Sequence, residues 1–383
     1  MTNKVRRKIK NIKRVVVKIG TRVLTGSDNQ IDRERIDRIA GQIIGLQKSD
    51  IEVVLVSSGA VGAGMGRLGV ENYPRLIPDR QAVAAVGQVQ LMKMWEHAFA
   101  SHGRQVGQVL VTAADLQSRY RYVNLQNTFE SLMRMQVVPV VNENDSVAVR
   151  ELKYGDNDAL SVQVAGIIDA DLLALLTTTD GLYTANPEKD PAAQRIPLVE
   201  KITSELTRGA KGKSSGVSIG GMRSKIEAAA LAARAGIWCV IARGTSPDLP
   251  GIVEGRDVGT LFVPGGEELG RRKRWIAFTS RSRGRLIVDM GARKALTDNG
   301  KSLLSSGIVG IEGSFESGDV VDIAAAGDKE PFARGVTSYS ADDLTRIKGL
   351  HSSRIEQVLG HNGPEEVIHK DNMALLEKNG KAE

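Results

Sequence analysis

Short runs of consecutive apolar residues recur through the first two-thirds of the chain, each ending in glycines or polar residues. They fall at 15–19 (VVVKI), 51–56 (IEVVLV), 105–111 (QVGQVLV), 137–141 (VVPVV), 172–177 (LLALLT) and 238–242 (WCVIA). Between them the apolar period lengthens to that of a helix. Ile36, Ile39, Ile43 and Leu46 share one face of a predicted helix after Asp32, and Asp32 and Glu34 sit where its dipole favours acids. Further helices are expected over about 80–102, 118–136, 158–170 and 220–237. Strands apolar on both faces that alternate with helices define an α/β fold, a mostly parallel sheet with helices on both faces. In such folds ligands gather beyond the C-terminal ends of the strands, so the informative residues should follow each apolar run.

After Phe262 the pattern changes. The stretch VPGGEELGRRKR (263–274) reads as a linker, and the following pieces are short, β-like and separated by Gly, Asp and Asn turns. The division expected is a catalytic domain over 1–262, a linker over 263–274, a small mostly-β module over 275–360 and a loose polar tail over 361–383. The segment ENYPRLIPDR (71–80) reads as an ordinary loop, with a flap as the alternative.

Composition narrows the field. The chain is 41% hydrophobic and 25% charged, which excludes general disorder. No apolar run reaches membrane-spanning length. The basic N-terminal stretch lacks a long enough apolar run, interrupted as it is by Lys18, to read as a signal peptide. The single cysteine, Cys239, can form neither an internal disulfide nor a zinc site. It reads as a buried core residue in a protein of a reducing, cytoplasmic compartment. The five histidines lie away from the strand ends, so no histidine metal site is expected. A net charge of +7 fits nucleic acid or small anionic ligands.

The strand ends carry the chemistry. Lys18, inside the first apolar run, needs an anionic partner if buried. Gly20 just after it allows close backbone approach and a positive φ. A bound phosphate would answer both features; a lysine snorkelling from a strand edge is the alternative. Ser57 and Ser58 open SSGAVGAGMG, a glycine-rich helix start suited to an anion but without the spacing of a Walker loop. Asn142, Glu143, Asn144 and Asp145 crowd the fourth strand end, and Asp156, Asn157 and Asp158 follow where a helix begins. Taken alone, Asp156 also fits an N-cap. Asn amides can donate to a carboxylate and Asp can accept from an ammonium, so the two clusters together suit a zwitterionic amino acid. Thr177 to Asp180 follow the fifth strand, and Gly220 and Gly221 open a helix with Lys225 one turn inside. Lys225 also fits a solvent-facing helix position. Two lysines, glycine-rich helix starts and no nucleophile triad point to phosphoryl transfer, where the protein positions groups and neutralises developing charge.

The motifs VVVKIGTRVLT, VSSGAVGAG, AAVGQ, VVPVVNENDSVA, GDNDALSVQVA, GLYTANP and GGMRSKIEAA resemble, in this order, the amino acid kinase family. The trailing module resembles a PUA domain, a small β-barrel found in RNA-modifying enzymes. The resemblance implies the amino acid kinase fold and ATP-dependent phosphorylation of the L-glutamate side-chain carboxylate to γ-glutamyl phosphate, the first step toward proline, with Mg2+ on the nucleotide phosphates. It implies that Lys18 and Lys225 stabilise the phosphoryl group in flight and that Asp156 orients them. Ser58, Asp145 and Asn157 would bind glutamate, with the backbone of Gly59 and Ala60 close to it. Thr177 and Thr178, together with Ile219, Gly220, Gly221, Met222, Arg223, Ser224 and Lys225, would hold ATP beside Lys18. Family members also imply proline as a feedback inhibitor, a homo-oligomer and transfer of the product to a glutamyl phosphate reductase. Two positions depart from the family pattern: Thr178 stands in place of an Asp and Ile219 in place of a Thr, both on the nucleotide side. The alternatives are a family member acting on aspartate, acetylglutamate, carbamate or UMP, and an RNA-binding protein using the PUA module.

Overall fold

Each of the six apolar runs forms a strand of one sheet. The computed structural model describes residues 2–9, 11–26, 31–117, 119–147, 157–187, 189–203, 206, 221–265, 276, 282–360 and 363–376. The strands are β1 (Arg14–Ile19), β2 (Glu52–Ser57), β3 (Val106–Val111), β4 (Val138–Glu143) and β5 (Leu172–Thr177). A small hairpin of β6 (Leu182–Tyr183) and β7 (Arg195–Ile196) follows, then β8 (Leu198–Val199), β9 (Trp238–Arg243) and β10 (Thr260–Phe262). The sheet order is β3-β4-β2-β1-β5-β9-β10-β8, parallel except where β10 runs against β9. Every residue from Val15 to Ile19 is buried. Val15, Val17, Leu55, Leu172 and Ala174 pack against Ile36, Ile39, Ile43, Leu91 and Trp95, and each fully buried aliphatic side chain contributes about 1.5–3 kcal/mol.

The helix Arg33–Lys48 is capped by Asp32, which accepts from Arg35 N at 3.1 Å. The next long helix, Ile77–Ala100, starts three residues earlier than the periodicity suggests, with Pro78 in its first turn, so part of the 71–80 segment is helical. It crosses the helix Ala60–Leu68 at backbone contact: a Cβ on Gly64 would lie 1.9 Å from Val83 O, and one on Gly87 1.8 Å from Ala60 O. Gly64 is therefore a packing residue and not part of an anion loop. Gly59, the residue before that helix, does take the left-handed conformation (φ 110°).

The chain divides into two compact units, 1–268 and 269–383. Residues at the start of the expected linker belong to the first unit, since Val263 N donates to Val199 O and Gly265 N to Ala233 O. In the second unit, β11 (Gly284–Val288), β12 (Leu303–Leu304), β13 (Ile308–Gly313), β14 (Val320–Ala325), β15 (Ala333–Val336), β16 (Glu366–Ile368) and β17 (Met373–Leu375) enclose a core of Leu286, Val321, Ile323, Leu344 and Ile368. The sheet order is β13-β11-β14-β15-β17, and β12 pairs with β16. Helices accompany it, among them Met290–Thr297 capped by Asp289, Ala341–Ile347 capped by Ser340, and the short Ile355–Leu359. The expected loose tail over 361–383 is corrected here: β16 and β17 fall inside it, and β17 bonds to β15 through Ala333, Arg334 and Gly335. Val367, Ile368, Met373 and Ala374 are buried, so this segment has its own apolar anchor despite its polar average.

Candidate active site

The C-terminal edge of the first sheet collects Lys18 from β1, Ser57 from β2 with Ser58 just after it, Asn142 and Glu143 from β4, and Thr177 from β5. Lys18 lies in register between Val56 and Leu175, so its side chain leaves the middle of the sheet. It is 2% exposed, and its ammonium donates to Asp158 Oδ1. Asp158 is wholly buried in the first turn of the helix Asn157–Ile167. Its other oxygen accepts from Lys225 Nζ at 3.1 Å and from Ser224 Oγ at 2.8 Å. Lys225, 5% exposed, stands in the first turn of the helix Met222–Arg234. Burial alone would raise the Asp158 carboxyl; the ammonium groups of Lys18 and Lys225 outweigh it, with help from the Ser224 hydroxyl, and hold it well below the usual carboxylate range.

Two ammonium groups thus converge on one carboxylate in a buried site. Both lysines are buried, Lys18 as its place inside an apolar strand suggests and Lys225 against its solvent-facing alternative, and both meet Asp158. Asp156, to which the resemblance assigns the lysines, lies outside the described residues, as do Ile219 and Gly220. The usable signal for Asp158 was its place ahead of Ser161 and Val162, one turn on and both buried on the inward face.

One residue back, Asn157 joins a second polar network. Its Nδ2 lies 3.1 Å from Ser57 O, 2.9 Å from Ser58 Oγ and 2.8 Å from Asn142 Oδ1. Asn142 Oδ1 also accepts from Glu143 N at 2.9 Å, while Asn142 Nδ2 donates to Gln88 Oε1 at 2.8 Å. Trp95 Nε1 donates to Ser57 Oγ at 3.0 Å from the far side. Gln88 and Trp95 received no role from the sequence; both come from the helix Ile77–Ala100, and Gln88 follows the packing glycine Gly87 directly. Asp145 is half-buried just past β4, and burial pushes its carboxyl up to about 6. Gly59 and Ala60 open the helix Ala60–Leu68 without a side-chain cap, leaving its first N–H groups for other partners.

On the nucleotide side, Thr177 O accepts from Gly244 N at 2.7 Å and Thr178 is exposed. Gly221 precedes the helix Met222–Arg234, whose start also lacks a side-chain cap. Arg223 pairs with Glu227 at 2.7 Å on the exposed face. Asp180 accepts from the Tyr183 hydroxyl at 2.6 Å, with Arg243 at 3.8 Å. Gly20 is a correction: it has φ −77° and ψ 153°, ordinary extended backbone, so no positive φ explains it. Cys239 is buried in β9, as expected. No helix among the described residues is long and apolar enough to cross a membrane.

A parallel α/β sheet with an acid-bridged lysine pair beyond its strand ends is the arrangement of a phosphotransferase. The amino acid kinase family model matches residues 13–243 and the PUA domain model residues 284–359. The chain belongs to the amino acid kinase family and carries a PUA domain. It is 47% identical to the glutamate 5-kinase of Syntrophus aciditrophicus (strain SB) over 371 residues, covering 97% of this chain and 96% of the relative. The glutamate 5-kinase of Myxococcus xanthus (strain DK1622) is 47% identical over 369 residues, 96% of this chain and 97% of that protein. That of Pelobacter propionicus is 45% identical over 368 residues, 96% and 98% of the two chains.

Proposed function

We propose that this chain is a glutamate 5-kinase. A side-chain carboxylate oxygen of L-glutamate attacks the γ-phosphorus of ATP; the bond to the β–γ bridging oxygen breaks, and γ-glutamyl phosphate and ADP form. The observation that carries this reading is the Lys18–Asp158–Lys225 bridge at the sheet edge. A carboxylate, with a side-chain pKa of about 4.3, is already a nucleophile at neutral pH, so no general base is required. The difficulty is repulsion between two anions. Lys18 and Lys225 offset it on the transferred group, and Asp158 keeps both ammonium groups at fixed positions between turnovers.

Ser58, Asn157, Asp145 and the N–H groups at Gly59 and Ala60 bind glutamate in this scheme. Thr177, Thr178 and the residues 219–225 hold the nucleotide. Among the described residues, no three His, Cys, Asp or Glu side chains converge on an ion site. Mg2+ therefore suits a place on the ATP phosphates, where it supplies charge neutralisation.

Hydroxamate trapping of the acyl phosphate tests this reading, with ATP, magnesium and a panel of glutamate, aspartate, acetylglutamate, carbamate and UMP, ADP release being followed in parallel. Turnover with glutamate alone supports it, and a preference for any other acceptor overturns it. Lys18→Ala and Lys225→Ala should each lose roughly 100-fold or more in kcat while remaining folded. The wider setting that goes with this reading is a cytoplasmic homo-oligomer inhibited by proline. Its labile product passes to a glutamyl phosphate reductase. The PUA domain favours a second, separate activity, binding of RNA. Filter binding with a salt titration tests it: micromolar affinity with a steep salt slope supports it, and no retention at low salt overturns it.

A further inference from the structure

The excess positive charge of the chain is confined to one segment. Residues 1–14 hold seven Lys and Arg and no Asp or Glu, and the other 45 basic residues are matched by the 45 acids. Those seven therefore equal the whole net charge of +7. Most of the segment lies ahead of residue 13, where the match to the kinase family begins.

This segment is fixed to the first unit at two points. Arg6 and Ile9 face inward, 1% and 3% exposed. The Arg6 guanidinium donates to Pro197 O at 2.7 Å and Gly259 O at 2.8 Å. Its backbone is held as closely, since a Cβ on Gly255 would lie 2.4 Å from Arg6 O. Lys8 N donates to Val5 O at 2.8 Å and Ile9 N to Arg6 O at 3.0 Å, which closes the turn between the two anchors. Lys4, Arg7 and Lys8 are consequently exposed, and Lys13 is exposed just before β1. The acids nearby are engaged by other groups. Glu254 pairs with Arg256 at 3.0 Å, Asp257 with Arg195 at 3.0 Å and Arg6 at 3.4 Å, and Glu52 with Arg14. Asp171 accepts from the backbone of Lys13 and Arg14. Among the described residues, none of the four exposed cations has an ion-pair partner.

We propose that this anchored N-terminal ledge is a docking surface for RNA, which it grips by the phosphate backbone through Lys4, Arg7, Lys8 and Lys13. Four unpaired cations within ten residues attract a polyanion, and each phosphate they neutralise releases counterions. The anchoring keeps the ordering cost of the backbone low, because folding has already met it. The segment contains no aromatic residue on which a base could stack, so the contact is to phosphates and carries little sequence preference. Among its described residues no large apolar side chain is exposed, so a lipid surface would gain nothing by insertion. The choice of RNA rests on the RNA-binding reading of the PUA domain, to which the ledge adds a separate contact on the first unit.

Filter binding of an unstructured single-stranded RNA of mixed sequence to the full-length protein, titrated with salt, tests the proposal. The variant replaces Lys4, Arg7, Lys8 and Lys13 together by Gln, leaving Arg6 and Ile9 in place. Each lost phosphate contact on a single strand takes about 0.7 from the log–log salt slope, so the slope should become shallower by about 2–3. Affinity at low salt should fall at least tenfold, with kcat for glutamate within twofold of wild type. The charge-matched control replaces Lys48, Lys93, Arg134 and Lys201, all exposed on the first unit, by Gln. It should change the slope by less than half as much. An N-terminal variant that binds RNA with the wild-type slope overturns the ledge and leaves the PUA reading standing. A variant that loses all retention supports the ledge and removes the PUA domain as an RNA site. Wild-type protein that retains no RNA at low salt overturns both. Binding of anionic lipid vesicles in preference to RNA overturns this choice of partner.

Discussion

The Lys225 ammonium lies 3.1 Å from Asp158 Oδ2, and the opposite oxygen of the same carboxylate receives Lys18 from another element of the fold. One buried acid thus sets the positions of two cations that the sequence separates widely. Removing its charge takes this partner from two buried ammonium groups, and breaking a buried pair costs about 3–5 kcal/mol. Asp158→Asn should lower the apo melting temperature and reduce kcat by roughly 100-fold. Nucleotide should recover part of the lost thermal stability, because its phosphates supply the missing anion. Differential scanning fluorimetry with and without ATP, beside hydroxamate trapping, checks both effects.

Asp158 and Asp145, the two perturbed acids at the sheet edge, give opposite pH signatures. Asp158 binds its proton more weakly in the folded state than in the unfolded chain, where an Asp titrates near about 3.9. Its contribution is therefore complete above that value and is lost as pH falls below it. Asp145 titrates at about 6 in the folded protein. Between roughly pH 4 and 6 the folded state holds more protons at this site than the unfolded one, so the Asp145 contribution to stability falls as pH rises through that window. If the ionised Asp145 meets a substrate ammonium, KM for glutamate should drop as pH rises past about 6. Asp145→Asn should abolish that inflection in a KM–pH profile.

The crossing of the helices Ala60–Leu68 and Ile77–Ala100 tolerates no side chain at its contact point. Gly87→Ala forces a Cβ into Ala60 O and should destabilise by about 3 kcal/mol, read from urea denaturation. Because Ala60 follows Ser58 and Gly59, the same change should raise KM for glutamate more than KM for ATP. Gly45→Ala is the control: it lies inside the helix Arg33–Lys48 with nothing within 4 Å of its Cβ position. It should stabilise by about 0.5–1 kcal/mol.

Arg6 ties the N-terminal residues to the far edge of the first sheet. Its guanidinium donates to the carbonyls of Pro197, Arg256, Val258 and Gly259, with Asp257 at 3.4 Å, and it is 1% exposed. Arg6→Met removes the guanidinium from four carbonyls, of which Pro197, Arg256 and Gly259 keep another donor, and should cost about 3 kcal/mol in a denaturant titration. Arg6→Lys should recover little of it, since a single ammonium cannot reproduce the planar fork.

Much of the fold was legible in the chain because strand and helix periodicities are local. Val15 to Ile19 and Leu172 to Leu176 are apolar on both faces, and that alone calls for a covered parallel sheet with its chemistry at the strand ends. Lys18 was visible as a lysine inside an apolar strand, whereas Lys225, one turn from Gly221, fitted a solvent-facing position as well. Folding alone selected Asp158 as their common partner, since that contact joins positions 140 residues apart in sequence and no local pattern records it. The same holds for Gln88, whose oxygen accepts from the Asn142 amide, and for Gly64 and Gly87, whose missing side chains serve a helix crossing. Average polarity misjudged the segment holding β16 and β17, because a few buried side chains and one strand edge were enough to hold it. Periodicity reports which face of an element turns inward; which residue it meets there depends on how distant elements pack, and that is a property of the folded chain as a whole.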